Sequence, residues 1–327
     1  MTSAIDERAG AAAAAEADAW DERGPRAGVG PLDPAWVAEQ LPARPDSAHK
    51  GTFGRVLIVA GSTRYPGAGM LTGLGAARAG AGLVCLAAPE SLQRQLAASI
   101  PELAWLPLPE EAPGVSAPGG WRRIAEEADR YDAIVVGPGL GNLATTRRRA
   151  RRLLKELVRP LVVDADGLNA LAEDAHWWTG LRGPAVLTPH PGEFARLARV
   201  PLDVITDSDD ARLDLAEQAA AAWDRVVVLK GARTVVAAPD GRVRVSHVAT
   251  PALATAGSGD VLAGAIGALV AAGLEPFTAA CCGVAVHAAA GQICEERIGR
   301  VGVLASDIAA TLPAAVTSVR ASAGQGQ

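Results

Sequence analysis

Short apolar runs without polar alternation recur along the chain: Arg55 to Ala60 (RVLIVA), Leu83 to Ala87, Ala133 to Val136, Leu161 to Asp164, Ala185 to Leu187 and Val226 to Leu229. A strand with one wet face alternates apolar and polar residues, whereas a strand covered on both faces does not. The runs therefore require a mainly parallel sheet with helices on each side. Helical patterns fill the gaps, at Leu71 to Ala79, Ser91 to Ala98, Thr145 to Leu157, Gly167 to Ala172, Glu193 to Ala198 and Asp209 to Trp223. Thr234 to Ala238 and Arg242 to Val248, joined across Pro239-Asp240-Gly241, read as an antiparallel hairpin late in that sheet. The expected fold is α/β, doubly wound, in a single domain over residues 47–320. Residues 1–46 are expected to form a disordered extension, weakly helical at most over residues 11–15, and a linker. A short amphipathic piece around Pro34 to Leu41 precedes that linker, and order is expected to begin near His49.

Composition removes several classes. The 327 residues are 49% hydrophobic, enough for one large core, and the net charge of −5 offers no basic field to nucleic acid. Arg147 to Arg152 is a local cluster only. No apolar run reads as long enough to span a bilayer, because Ala268 to Ala290 is interrupted at Gly273, Glu275 and Pro276. No secretory signal core is visible. Cys85, Cys281, Cys282 and Cys294 lack disulfide or metal-site spacing. These features suit a protein of a reducing compartment, the cytoplasm.

In a doubly wound sheet, ligands bind beyond the carboxyl ends of the strands. Five of the runs end in loops of unusual composition: Gly61-Ser62 leading to Tyr65-Pro66-Gly67-Ala68-Gly69, Gly137-Pro138-Gly139-Leu140-Gly141, Asp164-Ala165-Asp166-Gly167, Thr188-Pro189-His190-Pro191-Gly192-Glu193, and Lys230-Gly231-Ala232-Arg233-Thr234. One cleft accounts for all of them. Gly137 to Gly141 is not the dinucleotide fingerprint, since its third glycine falls one position early, and the chain has no Walker A sequence. His190, fixed between two prolines, reads as a presented side chain rather than a core histidine. Asp164 and Asp166 read first as helix caps, with a water-mediated metal contact as the alternative. Lys230 is either a solvated lysine or a neighbour of phosphate or adenine.

The most informative stretch is Thr250 to Gly264, TPALATAGSGDVLAG. A turn of small residues, Gly257-Ser258-Gly259, delivers Asp260 at the start of an apolar helix over Val261 to Ala272. Backbone N–H groups at such a terminus suit a phosphate, so a carboxylate there is electrostatically out of place. The combination makes sense if Asp260 removes a proton from a hydroxyl that attacks phosphorus while the N–H groups hold phosphoryl oxygens. A glycine-rich turn before an ordinary helix is the plain alternative.

The segments His49 to Ser62 (HKGTFGRVLIVAGS), GPGLG, DADGLNAL, LTPHPGEFARL, LKGART and ATAGSGDVLAG together resemble the ADP/ATP-dependent NAD(P)H-hydrate dehydratases of the ribokinase-like superfamily. The resemblance spans roughly His49 to Leu312 and departs at Ala256, where many relatives carry glycine. It implies repair of hydrated NADH or NADPH, a lyase reaction through phosphorylation of the ring hydroxyl and elimination of phosphate, with ADP or ATP as co-substrate and Mg²⁺ bridging phosphates. It assigns Ala68, Gly141, His190 and Asp260 to the hydrated cofactor. It assigns Lys230, Gly231, Ala232, Arg233, Thr234 and Gly259, with Gly257 and Ser258 beside it, to the nucleotide. It implies a homo-oligomer, a tetramer in similar proteins, and an epimerase supplied by a separate polypeptide. The alternatives are a ribokinase-like kinase for a thiazole or pyrimethanol precursor, and a non-enzymatic nucleotide sensor on the same scaffold.

Overall fold

The computed structural model describes residues 28–206 and 208–323; the expected disorder of the first residues and the weak helix over 11–15 lie outside them. Twelve strands occur among the described residues: β1 (Val29–Pro31), β2 (Arg55–Val59), β3 (Leu83–Pro89), β4 (Ala104–Leu108), β5 (Glu110–Ala112), β6 (Val115–Ser116), β7 (Ala133–Val136), β8 (Leu161–Val163), β9 (Ala185–Leu187), β10 (Val226–Leu229), β11 (Val235–Ala237) and β12 (Val243–Val245). The α-helices are α1 (Pro34–Gln40), α2 (Pro66–Ala79), α3 (Glu90–Leu96), α4 (Pro118–Glu127), α5 (Ala144–Glu156), α6 (Asp166–Ala172), α7 (Pro191–Ala198), α8 (Leu202–Thr206), α9 (Asp209–Trp223), α10 (Ser258–Ala271), α11 (Pro276–Ile298) and α12 (Ala305–Ala323).

Ten strands form one sheet in the order β1-β12-β11-β10-β9-β8-β7-β2-β3-β4, and β5 pairs with β6 apart from it. Within the large sheet every ladder is parallel except the two that β11 makes, with β10 and with β12, as the hairpin pattern predicts. The unalternating runs have two covered faces. Val56 and Ile58 join a core with α1, α2, α10, α11 and α12, while Leu57 and Val59 join a second core with α4, α5, α6, α7 and α9. From β2 the chain runs outward to β3 and β4, then returns to the other side of β2 as β7. The reversal opens a crevice beyond β2 and β7, where Gly61 and Gly137 stand.

Two expectations need correction. Order does not begin near residue 47. β1 pairs in parallel with β12, and α1 buries Val37 completely, with Leu32 and Leu41 nearly so. The amphipathic piece around Pro34 to Leu41 is this helix; what the sequence did not show is that it docks on the core with Leu32 and Leu41 on either side of it. The break at Gly273 to Pro276 does fall between α10 and α11, but the apolar helix that starts there is longer than the expectation of no membrane-length run allows. Proline opens the helix at its first turn, where its missing N–H costs nothing, and α11 continues to Ile298. By length and composition α11 could cross a membrane; 72% of its apolar window is buried inside the fold, as in a core helix.

Small residues set the spacing between α2 and α10. A Cβ at Gly75 would collide with the carbonyl oxygen of Val261, and one at Gly264 with that of Thr72. Backbone therefore meets backbone across this pair. The close approach locks the start of α10, and with it Asp260, against the first strands of the sheet.

Candidate active site

α10 begins at Ser258 after Gly257, whose φ of 89° lies in the left-handed region that a side chain disfavours. No side chain caps this terminus; the Ser258 N–H donates to the Thr255 carbonyl, and the N–H groups of Gly259 and Asp260 remain for a ligand. Asp260 stands in the first turn. Burial raises its pKa to about 7, the carboxylate of Asp164 adds to the effect, and Lys230 opposes it. An acid poised near neutrality is suited to take a proton and give it up again.

The Lys230 ammonium lies 2.7 Å from Asp164 Oδ1 and 3.9 Å from Glu193 Oε2. Burial works against its charge, yet Asp164, then Glu193 and Asp260, hold its pKa above the usual lysine value. Glu193 is buried, and that burial raises its carboxyl pKa despite Lys230. One lysine thus serves three carboxylates, and it does not offset the burial that raises the pKa of Glu193 and Asp260.

Asp164 is 1% exposed and accepts from Thr188 Oγ1 at 2.8 Å as well as from Lys230. It caps no helix. The N-cap of α6 is Ala165, without a side-chain bond and with a φ of 50°. That turn sends successive aspartates to different tasks, since Asp166 accepts from the Gly141 N–H at 2.8 Å. The capping expectation for this pair therefore fails.

His190 is the N-cap of α7. Its Nδ1 accepts from the Gly192 N–H at 3.0 Å, and Glu193 returns the bond to the His190 N–H at 2.9 Å, closing a capping box. An accepting Nδ1 leaves the hydrogen on Nε2, which lies 3.3 Å from Glu193 Oε1 and, on a half-exposed ring, is also open to a ligand. Burial, then Lys230 and Arg196, lower the imidazole pKa and keep it neutral. His190 is thereby a hydrogen-bond donor at neutral pH rather than an acid.

The other sequence candidates divide. A Cβ at Gly259 would stand 3.3 Å from Lys230 Nζ and 4.0 Å from Asp164 Oδ2, so Gly259, Lys230, Asp164 and Asp260 meet at one point. Ala68 and Gly141 lie on the crevice side: a Cβ at Gly139 would stand 2.6 Å from the Ala68 Cβ, and Gly141 joins the centre through Asp166. The loop after β10 is less convergent. Gly231 leaves its side-chain space to the Arg212 guanidinium, which donates to the carbonyls of Leu229 and Lys230. Arg233 turns to Asp209 on α9, Thr234 bonds to the Gly231 carbonyl, and Ala232 is exposed.

Sequence reasoning passed over Glu193, Arg212 and His287. Glu193 carried a signal, the capping-box spacing from His190. Arg212 carried none, being one of several charged residues in the first turns of α9, and His287 none, being a single polar residue in an otherwise apolar helical stretch.

The doubly wound sheet, its switch-point crevice and the acid at the mouth of an uncapped helix define a protein of the ribokinase-like class. The chain belongs to the NAD(P)H-hydrate dehydratase family, whose sequence profile matches residues 56–314. It is 41% identical over 276 residues to the ADP-dependent (S)-NAD(P)H-hydrate dehydratase of Xanthomonas campestris, covering 84% of this chain and 92% of that one. It is 43% identical over 282 residues to the bifunctional NAD(P)H-hydrate repair enzyme of Moorella thermoacetica, covering 86% of this chain and 53% of that one. The chain thus spans about half the length of the bifunctional relatives it matches. The solved ADP/ATP-dependent NAD(P)H-hydrate dehydratase of Bacillus subtilis, co-crystallised with ATP and Mg²⁺, superposes with a TM-score of 0.77 at 31% identity. That match covers 90% of this chain and all of the other.

Proposed function

We propose that the protein dehydrates hydrated NADH and NADPH at the expense of ADP or ATP. Hydroxide leaves a ring carbon poorly at neutral pH, whereas phosphate leaves well. Asp260 takes the proton of the ring hydroxyl, and the freed oxygen attacks the terminal phosphorus of the nucleotide. The N–H groups at the start of α10 hold the phosphoryl oxygens as the phosphorus–oxygen bond of the nucleotide breaks. The ring nitrogen's lone pair then expels phosphate, and loss of a neighbouring C–H proton restores the double bond. His190 donates from Nε2 to the hydrated ring portion, and Lys230 balances charge among the carboxylates.

Among the described residues no cluster of three or more candidate ligands could cage a metal. That suits Mg²⁺, which keeps most of its waters and binds through substrate phosphates and one or two carboxylates. Asp164 Oδ2, which faces the start of α10, is the oxygen that would anchor it through water; the bound ion would neutralise phosphate charge. The protein acts in the cytoplasm as a homo-oligomer, a tetramer.

The observation that carries the reading is Asp260, an acid with a pKa of about 7 inside an anion-binding helix terminus. The test follows recovery of the near-ultraviolet absorbance of reduced nicotinamide from chemically hydrated NADH, with ADP and then ATP. Absorbance that stays flat with both nucleotides, or a stable phosphorylated product, overturns the proposal.

A further inference from the structure

His287, on α11, is 6% exposed and directly beneath the start of α10. Its Nε2 lies 3.0 Å from the Ser258 carbonyl oxygen and 3.1 Å from Ser258 Oγ. A carbonyl oxygen only accepts, so Nε2 carries the hydrogen. Ser258 Oγ, beside that same hydrogen, accepts as well, and its own hydroxyl hydrogen must point elsewhere. Ser258 is the first residue of the helix whose N–H groups form the anion hole. The one direction that adds to an anion site is the one in which Ser258 donates into it.

We propose that His287 is a positioning residue for phosphate binding: it pins the first turn of α10 through Ser258 and orients the Ser258 hydroxyl as a donor to the nucleotide's phosphate. The inference rests on the phosphoryl group being held at this terminus, as in the proposed reaction. Burial lowers the imidazole pKa to about 4, partly offset by the Ser258 carbonyl. The ring therefore stays neutral, with a single donor hydrogen, across the working pH range. A charged imidazole so close to Lys230 would add repulsion, whereas a neutral one adds only direction.

The test uses the full chain and ADP as the probe, so its outcome does not depend on hydrated NADH being the substrate. His287→Leu keeps apolar bulk and removes the donor; His287→Gln returns an amide N–H to a similar reach. Affinity for ADP is measured by titration calorimetry, beside melting temperature and, where turnover is present, KM for nucleotide and kcat. His287→Leu is expected to weaken ADP binding about tenfold, with His287→Gln recovering most of that loss. Ser258→Ala, which leaves the backbone bond intact, is expected to lower ADP affinity several-fold at an unchanged melting temperature. The pair should be non-additive, so Ser258→Ala in the His287→Leu background costs little more. A His287→Leu protein that melts lower but binds ADP within twofold of the parent overturns the proposal. Should that variant not fold, Ser258→Ala decides alone, and unchanged ADP affinity overturns it. Loss of dehydration with ADP binding intact in the parent would instead count against the proposed reaction.

Discussion

At the scale of single residues, the site is a small set of acids sharing too little positive charge. Asp260 has a pKa of about 7 because burial and Asp164 outweigh Lys230. Asp260→Asn removes the base and should lower kcat by ~10²–10⁴; retention of more than about a tenth of the parent rate would sink that role. For the parent, a base with this pKa means that kcat/KM climbs as pH rises through about 7 and levels above it. Stability runs the other way. A carboxyl whose folded pKa is raised stabilises the fold fully below its unfolded pKa, and that contribution is lost as pH rises through the folded value. Asp260→Asn should therefore melt higher than the parent at pH above about 7, with the difference vanishing in acid. His190 supports a second test, since its two nitrogens have separate duties. Asn at this position still caps α7 but lacks the Nε2 donor, so His190→Asn should keep its melting temperature. It should raise KM for hydrated NADH and leave ADP affinity alone. A fall in ADP affinity with normal dehydration kinetics would place His190 on the nucleotide side.

At the scale of elements, the approach of α2 and α10 transmits fold stability to chemistry. Gly264→Ala sets a methyl against the Thr72 carbonyl, which a rigid pair of helices cannot absorb without parting. Overpacking of this kind costs about 1–3 kcal/mol, and separation of the helices moves the start of α10 as well. The melting temperature and kcat should fall together; a lowered melting temperature with an unchanged kcat would show that the anion hole is held from elsewhere, α11 being the nearest alternative. This dependence also marks what the sequence could convey. The strands β2, β3 and β7 to β10 were legible because a doubly covered strand is apolar throughout, β11 and β12 because of their hairpin, and glycine-rich ends pointed to one crevice. The strand β4, with partly exposed positions and a proline, and the short pair β5 and β6 were not. The helix α11 was not, because an alanine-rich stretch buried on nearly all sides lacks the 3.6-residue alternation that marks a surface helix. The helix α12 does bury a single face, at Ala305, Ile308, Ala309, Leu312, Ala315 and Val319, a spacing that sequence reasoning passed over. At the site, Asp260 and Gly259 were legible from composition at a turn. The roles of Asp164, Glu193 and His287 were not, because they arise from contacts between segments such as the 66-residue separation that joins Lys230 to Asp164.

At the scale of the whole molecule, residues ahead of 47 complete the sheet. β1 covers the outer edge of β12, and Leu32 adds a backbone bond from its N–H to the Val245 carbonyl at 2.8 Å. β12 in turn holds the strand that follows the loop from Lys230 to Thr234, through the Ser246 N–H bonded to the Thr234 carbonyl at 2.9 Å. Leu32, Val37 and Leu41 bury their side chains as this segment crosses the last helices. Each is worth about 1.5–3 kcal/mol of burial before the entropy of ordering the segment is subtracted. Two truncations separate the parts. A chain starting at residue 28 keeps β1 and α1 and should match the parent in melting temperature and in turnover. A chain starting at residue 42 loses both, exposes the β12 edge to pairing with other chains, and should melt several degrees lower and aggregate more readily. With its supporting strand loosened, the loop from Lys230 to Thr234 should bind nucleotide less well, raising KM for ADP. The value of kcat at saturating ADP should hold, because Asp260 and the start of α10 are anchored on the opposite side by α2. A shorter chain that kept the parent's melting temperature and KM would mean that β12 is a self-sufficient edge. A shorter chain with kcat reduced at saturating ADP would mean that the edge reaches the catalytic acid itself.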